Sequence, residues 1–87
     1  MSDKNEIQIE ALKNDIRYLR NDWRNVRSER LKRKQELQSQ GYDKSKIRRD
    51  KVYKSLRKEQ KRISKEINHK LRALNRKSSI ENKNQYT

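Results

Sequence analysis

Lysine and arginine are the side chains in this sequence that offer the most for ligand binding, and the groups that they bind best are phosphates and carboxylates. The chain has 26 of them against 12 Asp and Glu, for a net charge of +14. Residues 1–29 are neutral, whereas residues 30–77 carry 19 basic and five acidic side chains. The whole excess lies in the second segment, and so large a cationic surface is typical of proteins that bind nucleic acid.

Many of these basic residues recur every three or four positions, the spacing that places side chains on one face of an α-helix. Solvated helical faces usually mix charges, but this row contains essentially no acid. We therefore predict that it contacts the phosphate backbone of DNA or RNA with little sequence specificity. The predicted nucleic-acid-binding residues are Arg30, Arg33, Lys44, Arg48, Lys51, Lys58, Arg62, Lys65, Arg72 and Arg76.

The sequence offers little support for catalysis or metal binding. His69 is the only histidine, it lies within the basic row, and the chain has no cysteine. Glu59 and Glu66 are two helical turns apart, which is typical of a surface charge ladder, and no glycine-rich phosphate loop is present. We expect a protein that is not an enzyme and that binds no metal or cofactor.

Composition limits the fold and the compartment. Charged residues make up 44% of the chain and hydrophobic residues 28%, which is too polar for an ordinary globular core. The absence of cysteine excludes a disulfide framework and suits a reducing compartment. No apolar run is long enough for a signal peptide or a membrane span, so we expect a cytoplasmic protein, free or associated with nucleoid or ribosome, that has no membrane partner.

The apolar residues predict two long helices. In the first, over 4–40, a heptad-like pattern of steps of three and four resumes at Leu37 after Arg30 and Arg33 interrupt it. A related pattern from Val52 to Leu74 predicts the second helix, over 44–76, followed by a flexible tail over 78–87. The apolar positions of the first pattern, which we also predict to form an oligomer or partner interface, are Ile9, Leu12, Ile16, Leu19, Trp23 and Val26.

Residues 41–43 predict a reversal of the chain between these helices. Gly41 is the only glycine, and the chain has no proline. A glycine at the C′ position can close a helix in the left-handed conformation, and Asp43 can cap the next helix. Residues 1–77 are therefore predicted to form one all-α domain, a long antiparallel αα-hairpin with coiled-coil-like packing. The alternative is one continuous helix, bent at Gly41, in a long parallel coiled coil.

A lone hairpin buries only one stripe of each helix, so we expect a homodimer in the form of a four-helix bundle, or another partner. In the hairpin, an acidic edge of helix 1 that includes Asp15 is expected to meet Lys70 and Arg48 favourably and Glu59 and Glu66 unfavourably. Ile7, Ala11 and Tyr18 form a further patch on the opposite side of that helix. This patch is a candidate contact for the tail residues Ile80 and Tyr86 or for a partner.

The same charge distribution permits a second function. A rigid basic hairpin can dock on an acidic protein groove, including one that normally holds nucleic acid. Usage rich in Lys, Asn and Ile fits an AT-rich genome such as that of a phage or mobile element. The alternative prediction is therefore an inhibitor or adaptor that binds an acidic protein partner.

Overall fold

The protein is an all-helical hairpin in a computed structural model that describes the backbone of residues 2–85 and the side chains of residues 4–78. Its elements are α1 (Ser2–Ser39), α2 (Lys44–Arg49) and α3 (Lys51–Gln85). The long helices α1 and α3 pack side by side in a rod of 64 × 17 × 16 Å. Contacts between Asp15 and Lys70, and between Arg33 and Asp50, show that the two helices are antiparallel.

The turn after α1 has the hydrogen bonds of a Schellman motif. The N–H of Tyr42 donates to the carbonyl oxygen of Leu37 at 3.0 Å, and the N–H of Gly41 donates to that of Gln38 at 3.0 Å. Gly41 has φ +86°, the left-handed conformation that glycine adopts without a steric penalty. Asp43 then caps α2 by accepting from the N–H of Lys46 at 2.9 Å. The predicted reversal at residues 41–43 is confirmed, and the continuous bent helix is excluded.

The chain breaks a second time at Asp50, where the sequence predicted one continuous helix over 44–76. Asp50 has extended backbone angles and its N–H donates to the carbonyl oxygen of Ile47, which ends α2. Its carboxylate accepts from the N–H of Tyr53 at 2.9 Å, so the same residue caps α3. Arg33 of α1 donates two hydrogen bonds to this carboxylate, from Nε to Oδ2 and from Nη2 to Oδ1, both at 3.0 Å. The break is stabilised from the opposite helix, which the local sequence pattern does not reveal.

The core is a thin seam between α1 and α3 that is densest at the turn. Leu37 of α1 is 2% exposed and clusters with Ile47 of α2 and Tyr53 of α3. Farther along the rod, the seam holds isolated buried side chains, such as Ile16 and Ile63. The cluster thus joins all three helices at the turn.

At the end of the rod far from the turn, α1 begins at Ser2 instead of residue 4. The backbone of α3 continues as helix to Gln85 instead of ending at residue 76. Tyr86 and Thr87 lie outside the described residues, as does the side chain of Ile80, so the predicted contact of the tail with the Ile7 patch falls outside them as well. Ile7 and Tyr18 themselves are 68% and 74% exposed.

Candidate nucleic-acid interface

The face of α3 directed away from α1 carries a continuous row of basic side chains. Its members recur at steps of three or four, and all of them are exposed. They extend over 26 residues, from Lys51 to Arg76, which is about 37 Å of helix. We call this surface the outer row; it consists of Lys51, Lys54, Lys58, Lys61, Lys65, His69, Arg72 and Arg76.

The outer row includes half of the residues predicted for the interface, namely Lys51, Lys58, Lys65, Arg72 and Arg76. Lys54 and Lys61 belong to it and were missed by the sequence analysis. The predicted set kept Lys51, Lys58, Lys65 and Arg72, which are seven residues apart, and omitted two lysines that lie between them. Counting every step of three or four from Lys51 would have found both lysines.

Lys44 and Arg48 occupy a different element from the outer row. Both are exposed, but they lie on the six-residue helix α2, before the break at Asp50. The phase of α3 therefore does not determine their direction. They are basic residues of the turn region and not an extension of the outer row.

Arg30 and Arg33 were predicted to contact nucleic acid, and in the structure both are partly buried and contact the region of the α2–α3 break. Arg33 is bound to Asp50, and its Nη1 lies 3.5 Å from Glu36. Arg30 lies over the ring of Tyr53, with 5.9 Å between the guanidinium carbon and the ring centroid. These two arginines interrupt the apolar pattern of α1 because they face the α2–α3 break, where the partly buried Asp50 carboxylate and the Tyr53 ring accept cationic partners.

Arg62 is also a member of the predicted set that has acidic partners. It forms an ion pair with Glu59, and its Nη1 donates to Glu66 at 3.2 Å. The hydrogen bond from Arg62 holds the pKa of the Glu59 carboxyl below its ordinary value and raises the pKa of the guanidinium. Arg62 lies at the edge of the outer row, on the side where the acidic residues of α3 are found.

Every carboxylate of residues 30–77 is engaged at a site away from the outer row. Asp43 and Asp50 cap helices, Glu36 and Asp50 contact Arg33, and Glu59 and Glu66 contact Arg62. Within the described side chains, no Asp or Glu forms an ion pair with a member of the outer row. The positive charge of this surface is therefore uncompensated by the protein itself.

The apolar face predicted as an oligomer or partner interface is covered by α3 of the same chain. Ile9 and Ile16 are buried, and Leu12, Leu19, Trp23 and Val26 are partly buried. Next to this seam, Lys70 donates to Asp15 at 3.2 Å, which confirms the expected contact of the acidic edge with Lys70. Leu12, Leu19, Trp23 and Val26 keep part of their surface exposed beside α3, so the predicted oligomer or partner interface on this face stays a prediction.

His69 stands in the outer row, and no group of three His, Cys, Asp or Glu among the described residues is arranged to hold a metal ion. Among residues 2–85, no helix combines the length and the apolar character needed to cross a membrane.

Comparison with protein family models, with curated proteins and with solved structures finds no match for this chain. The surface chemistry of the hairpin is therefore the basis on which its function is inferred.

Proposed function

We propose that this protein binds nucleic acid, with the outer row of α3 lying along the phosphate backbone. One observation carries the proposal: the row is exposed over its whole length and has no carboxylate partner within the described residues. Lysines predominate in it, and a lysine ammonium acts as a point charge that does not read base identity. Binding is therefore led by the backbone and weakly specific for sequence.

The energetic source of this binding is the release of counterions condensed on the nucleic acid. Each phosphate neutralised by a Lys or Arg releases about one cation, and log K falls linearly with log salt concentration. Contact with roughly five to eight phosphates predicts a slope of about −4 to −7. A basic residue that is already paired with a carboxylate of the protein would have to give up that ion pair to bind a phosphate, which would reduce the free energy gained from counterion release. The absence of such carboxylates from the row therefore favours binding.

The proposal is tested by removing three charges from the middle of the row. Lys58→Gln, Lys65→Gln and Arg72→Gln together keep good helix formers on exposed positions, so the hairpin should remain folded. We expect the slope of log K against log salt to become shallower by about 2 to 3, and the affinity at low salt to fall. The measurement is fluorescence anisotropy of a labelled oligonucleotide at several salt concentrations.

A matched control changes the net charge equally on other surfaces. Lys4, Lys32 and Lys46 are exposed, lie outside the outer row, and form no ion pair in the described structure. Their joint replacement by Gln should leave the slope nearly unchanged. Equal effects of the two triple variants would show that only net charge matters. No binding to any oligonucleotide at low salt would instead favour the alternative of an acidic protein partner.

We also propose that two copies associate through the outer face of α1. In a chain that is 44% charged, this face carries an exposed stripe of uncharged residues at heptad spacing. Arg17 and Arg24 flank it on one side, and Asp22 and Glu29 flank it on the other. The stripe consists of Ile7, Ala11, Asn14, Tyr18, Asn21, Asn25 and Ser28.

Charge complementarity favours a parallel arrangement of the two α1 helices. In parallel packing, Arg17 lies opposite Asp22 of the second copy and Arg24 opposite its Glu29, whereas Glu10 lies opposite Asp15, whose carboxylate is already bound by Lys70. Antiparallel packing would place arginine against arginine and carboxylate against carboxylate. Each exposed pair contributes only about 0–1 kcal/mol, so these pairs set the orientation more than the affinity. The outer rows of the two copies then lie on opposite sides of the dimer.

A further inference from the structure

One of the two grooves between α1 and α3 is lined by basic side chains from both helices. Two adjoining depressions there, of about 390 and 370 Å³, share Trp23 and Ser64. A third, of about 200 Å³, continues toward Leu74 and shares Arg20. We call this surface the Trp23 groove; its cations include Arg20, Arg24 and Arg30 of α1 and Arg57, Lys61 and Lys65 of α3.

The Trp23 groove and the opposite groove differ sharply in charge. No Asp or Glu of the described residues lines the three depressions of the Trp23 groove. The opposite edge of the hairpin instead holds the Asp15–Lys70 pair and the pairs of Arg62 with Glu59 and Glu66. Residues 1–29 of α1 have no net charge. The packing of α1 on α3 nevertheless places arginines of α1 beside basic side chains of α3, which makes this groove cationic.

The centre of the groove offers groups that suit a base as well as a phosphate. Trp23 is only partly buried, and the guanidinium carbon of Arg27 lies 5.6 Å from its ring centroid. Aromatic rings and guanidinium planes are both surfaces on which unpaired bases stack. Asn68 lines the same depression and can donate and accept hydrogen bonds at a base edge.

Arg30, in the wall of the groove, has a hydrogen-bond donor without a partner in the described structure. Its Nε is buried and has no hydrogen-bond partner within the described residues. An unpartnered buried donor is costly, and a small rotation of the guanidinium toward a phosphate in the groove would satisfy it. This second feature distinguishes the groove from a merely solvated basic surface.

We infer that the Trp23 groove binds a segment of single-stranded nucleic acid, with its phosphates on the arginines and lysines of the walls and a base near Trp23. The inference rests on the proposed function and deepens it by naming the strand state of the ligand. In a duplex, each base is stacked between its neighbours and cannot reach Trp23. A duplex is therefore limited to the outer row, whereas a single strand engages both the row and the groove.

Trp23 is the only tryptophan of the chain, so its fluorescence reports directly on the groove. The whole protein is titrated with labelled 20-nucleotide oligo(dT) or oligo(U), with a 20-base-pair duplex, and with heparin, which is a polyanion without bases. We expect tighter binding of the single strands than of the duplex at equal salt. Tryptophan fluorescence should change on adding single strands and stay nearly constant with duplex and heparin.

Two variants locate the contact. Trp23→Leu keeps an apolar residue on the seam and should weaken single-strand binding about 5- to 150-fold, with little effect on the duplex. Arg20→Gln with Arg57→Gln changes only exposed residues of the groove walls, so it remains informative if the first variant unfolds. It should lower single-strand affinity and make its salt slope shallower by about 2, while Lys4→Gln with Lys32→Gln should not.

The outcomes separate this inference from the proposed function. Oligonucleotide binding with unchanged tryptophan fluorescence, or equal responses to duplex and single strand, would overturn the groove assignment and leave the outer row intact. A failure of every oligonucleotide to bind at low salt would overturn both.

Discussion

Gly41 reverses the chain through its backbone conformation and not through lack of space. A Cβ built on it would meet no heavy atom within 4 Å, yet its φ of +86° is one that side-chain-bearing residues rarely adopt. The cost of any substitution there is therefore backbone strain. The flanking hydrogen bonds to Leu37 and Gln38 hold the residue in that conformation.

Substitutions at Gly41 should destabilise the hairpin in the order Asn, Ala, Val. Asn tolerates the left-handed region, Ala loses about 1–2 kcal/mol there, and the β-branched Val loses more. For a chain of this size, each kcal/mol lowers Tm by roughly 4–8 °C. Thermal unfolding followed by circular dichroism at 222 nm measures the effect. A Gly41→Val variant that melts like the parent protein would contradict the left-handed turn.

Arg33 and Asp50 work as one unit that determines where α2 ends and α3 begins. The Asp50 side chain is 15% exposed, caps α3 and is held by two hydrogen bonds from Arg33. These hydrogen bonds, first those from Arg33 and then that from the Tyr53 N–H, lower the pKa of the Asp50 carboxyl. The ion pair between Arg33 and Asp50 thus links the break between α2 and α3 to α1.

The stability supplied by this unit should depend on pH. Because the pKa of Asp50 is lowered on folding, its contribution is fully present above the unfolded value of about 3.9 and is lost as pH falls through the lower folded value. The Asp50→Asn variant should lack this part of the acid transition. We expect the Tm difference between parent and variant to be largest at pH 5–7 and to shrink toward pH 2.

Thermal unfolding at pH 7, 5, 4, 3 and 2 measures this difference, and Asp22→Asn provides the control. Asp22 is an exposed carboxyl with no ion-pair partner in the described structure. A constant difference between Asp50→Asn and the parent protein across this range would show that the carboxylate charge does not support the break.

At the scale of the whole molecule, packing divides the surface into three regions with different chemistry. The outer row and the Trp23 groove form a cationic side, the edge with Asp15 and Glu66 holds the ion pairs, and the outer face of α1 is uncharged. Because the core between α1 and α3 is only one seam thick, covering the uncharged stripe with a second copy would bury further apolar surface at Ile7 and Tyr18.

The proposed parallel dimer makes a sharp cross-linking prediction, since the chain has no native cysteine. Parallel packing places each residue of the stripe opposite the same residue of the second copy, so Asn21→Cys should form a disulfide-linked dimer in a glutathione redox buffer. The Asn75→Cys variant, whose cysteine occupies an exposed position of α3 outside the stripe, should stay monomeric.

Sedimentation should show that the mass of the parent protein in solution is above its chain mass of 10.7 kDa. The Tyr18→Lys variant should shift this mass toward that of the monomer.

A parent protein that sediments as a monomer at about 100 μM, a concentration at which even weak association with a Kd near 10 μM would be visible, would contradict the dimer. Equal cross-linking of Asn21→Cys and Asn75→Cys would point to random collision and would contradict the parallel arrangement.

Local rules were sufficient for much of the fold. The pattern from Ile9 to Leu37, the glycine at 41 and the cap at Asp43 predicted a long helix, a left-handed stop and a restart, and these features are confirmed. Each depends on residues close in sequence, where spacing and backbone preference decide the outcome. The same locality explains why Lys51, Lys58, Lys65, Arg72 and Arg76 were correctly predicted to share a helical face.

By itself, the sequence determined two long helical segments, the helix stop at Gly41 and the cationic face of the second helix, because all three follow from residues close in sequence. The structure then decided that the two segments form a hairpin and not one bent helix. Only the tertiary structure decided that the chain breaks at Asp50, that Arg30 and Arg33 contact the region of this break, and that the arginines of α1 line a groove with those of α3. These features depend on which side chains meet across the seam. A guanidinium binds the carboxylate or ring nearest in space, and residues far apart in sequence supply those partners.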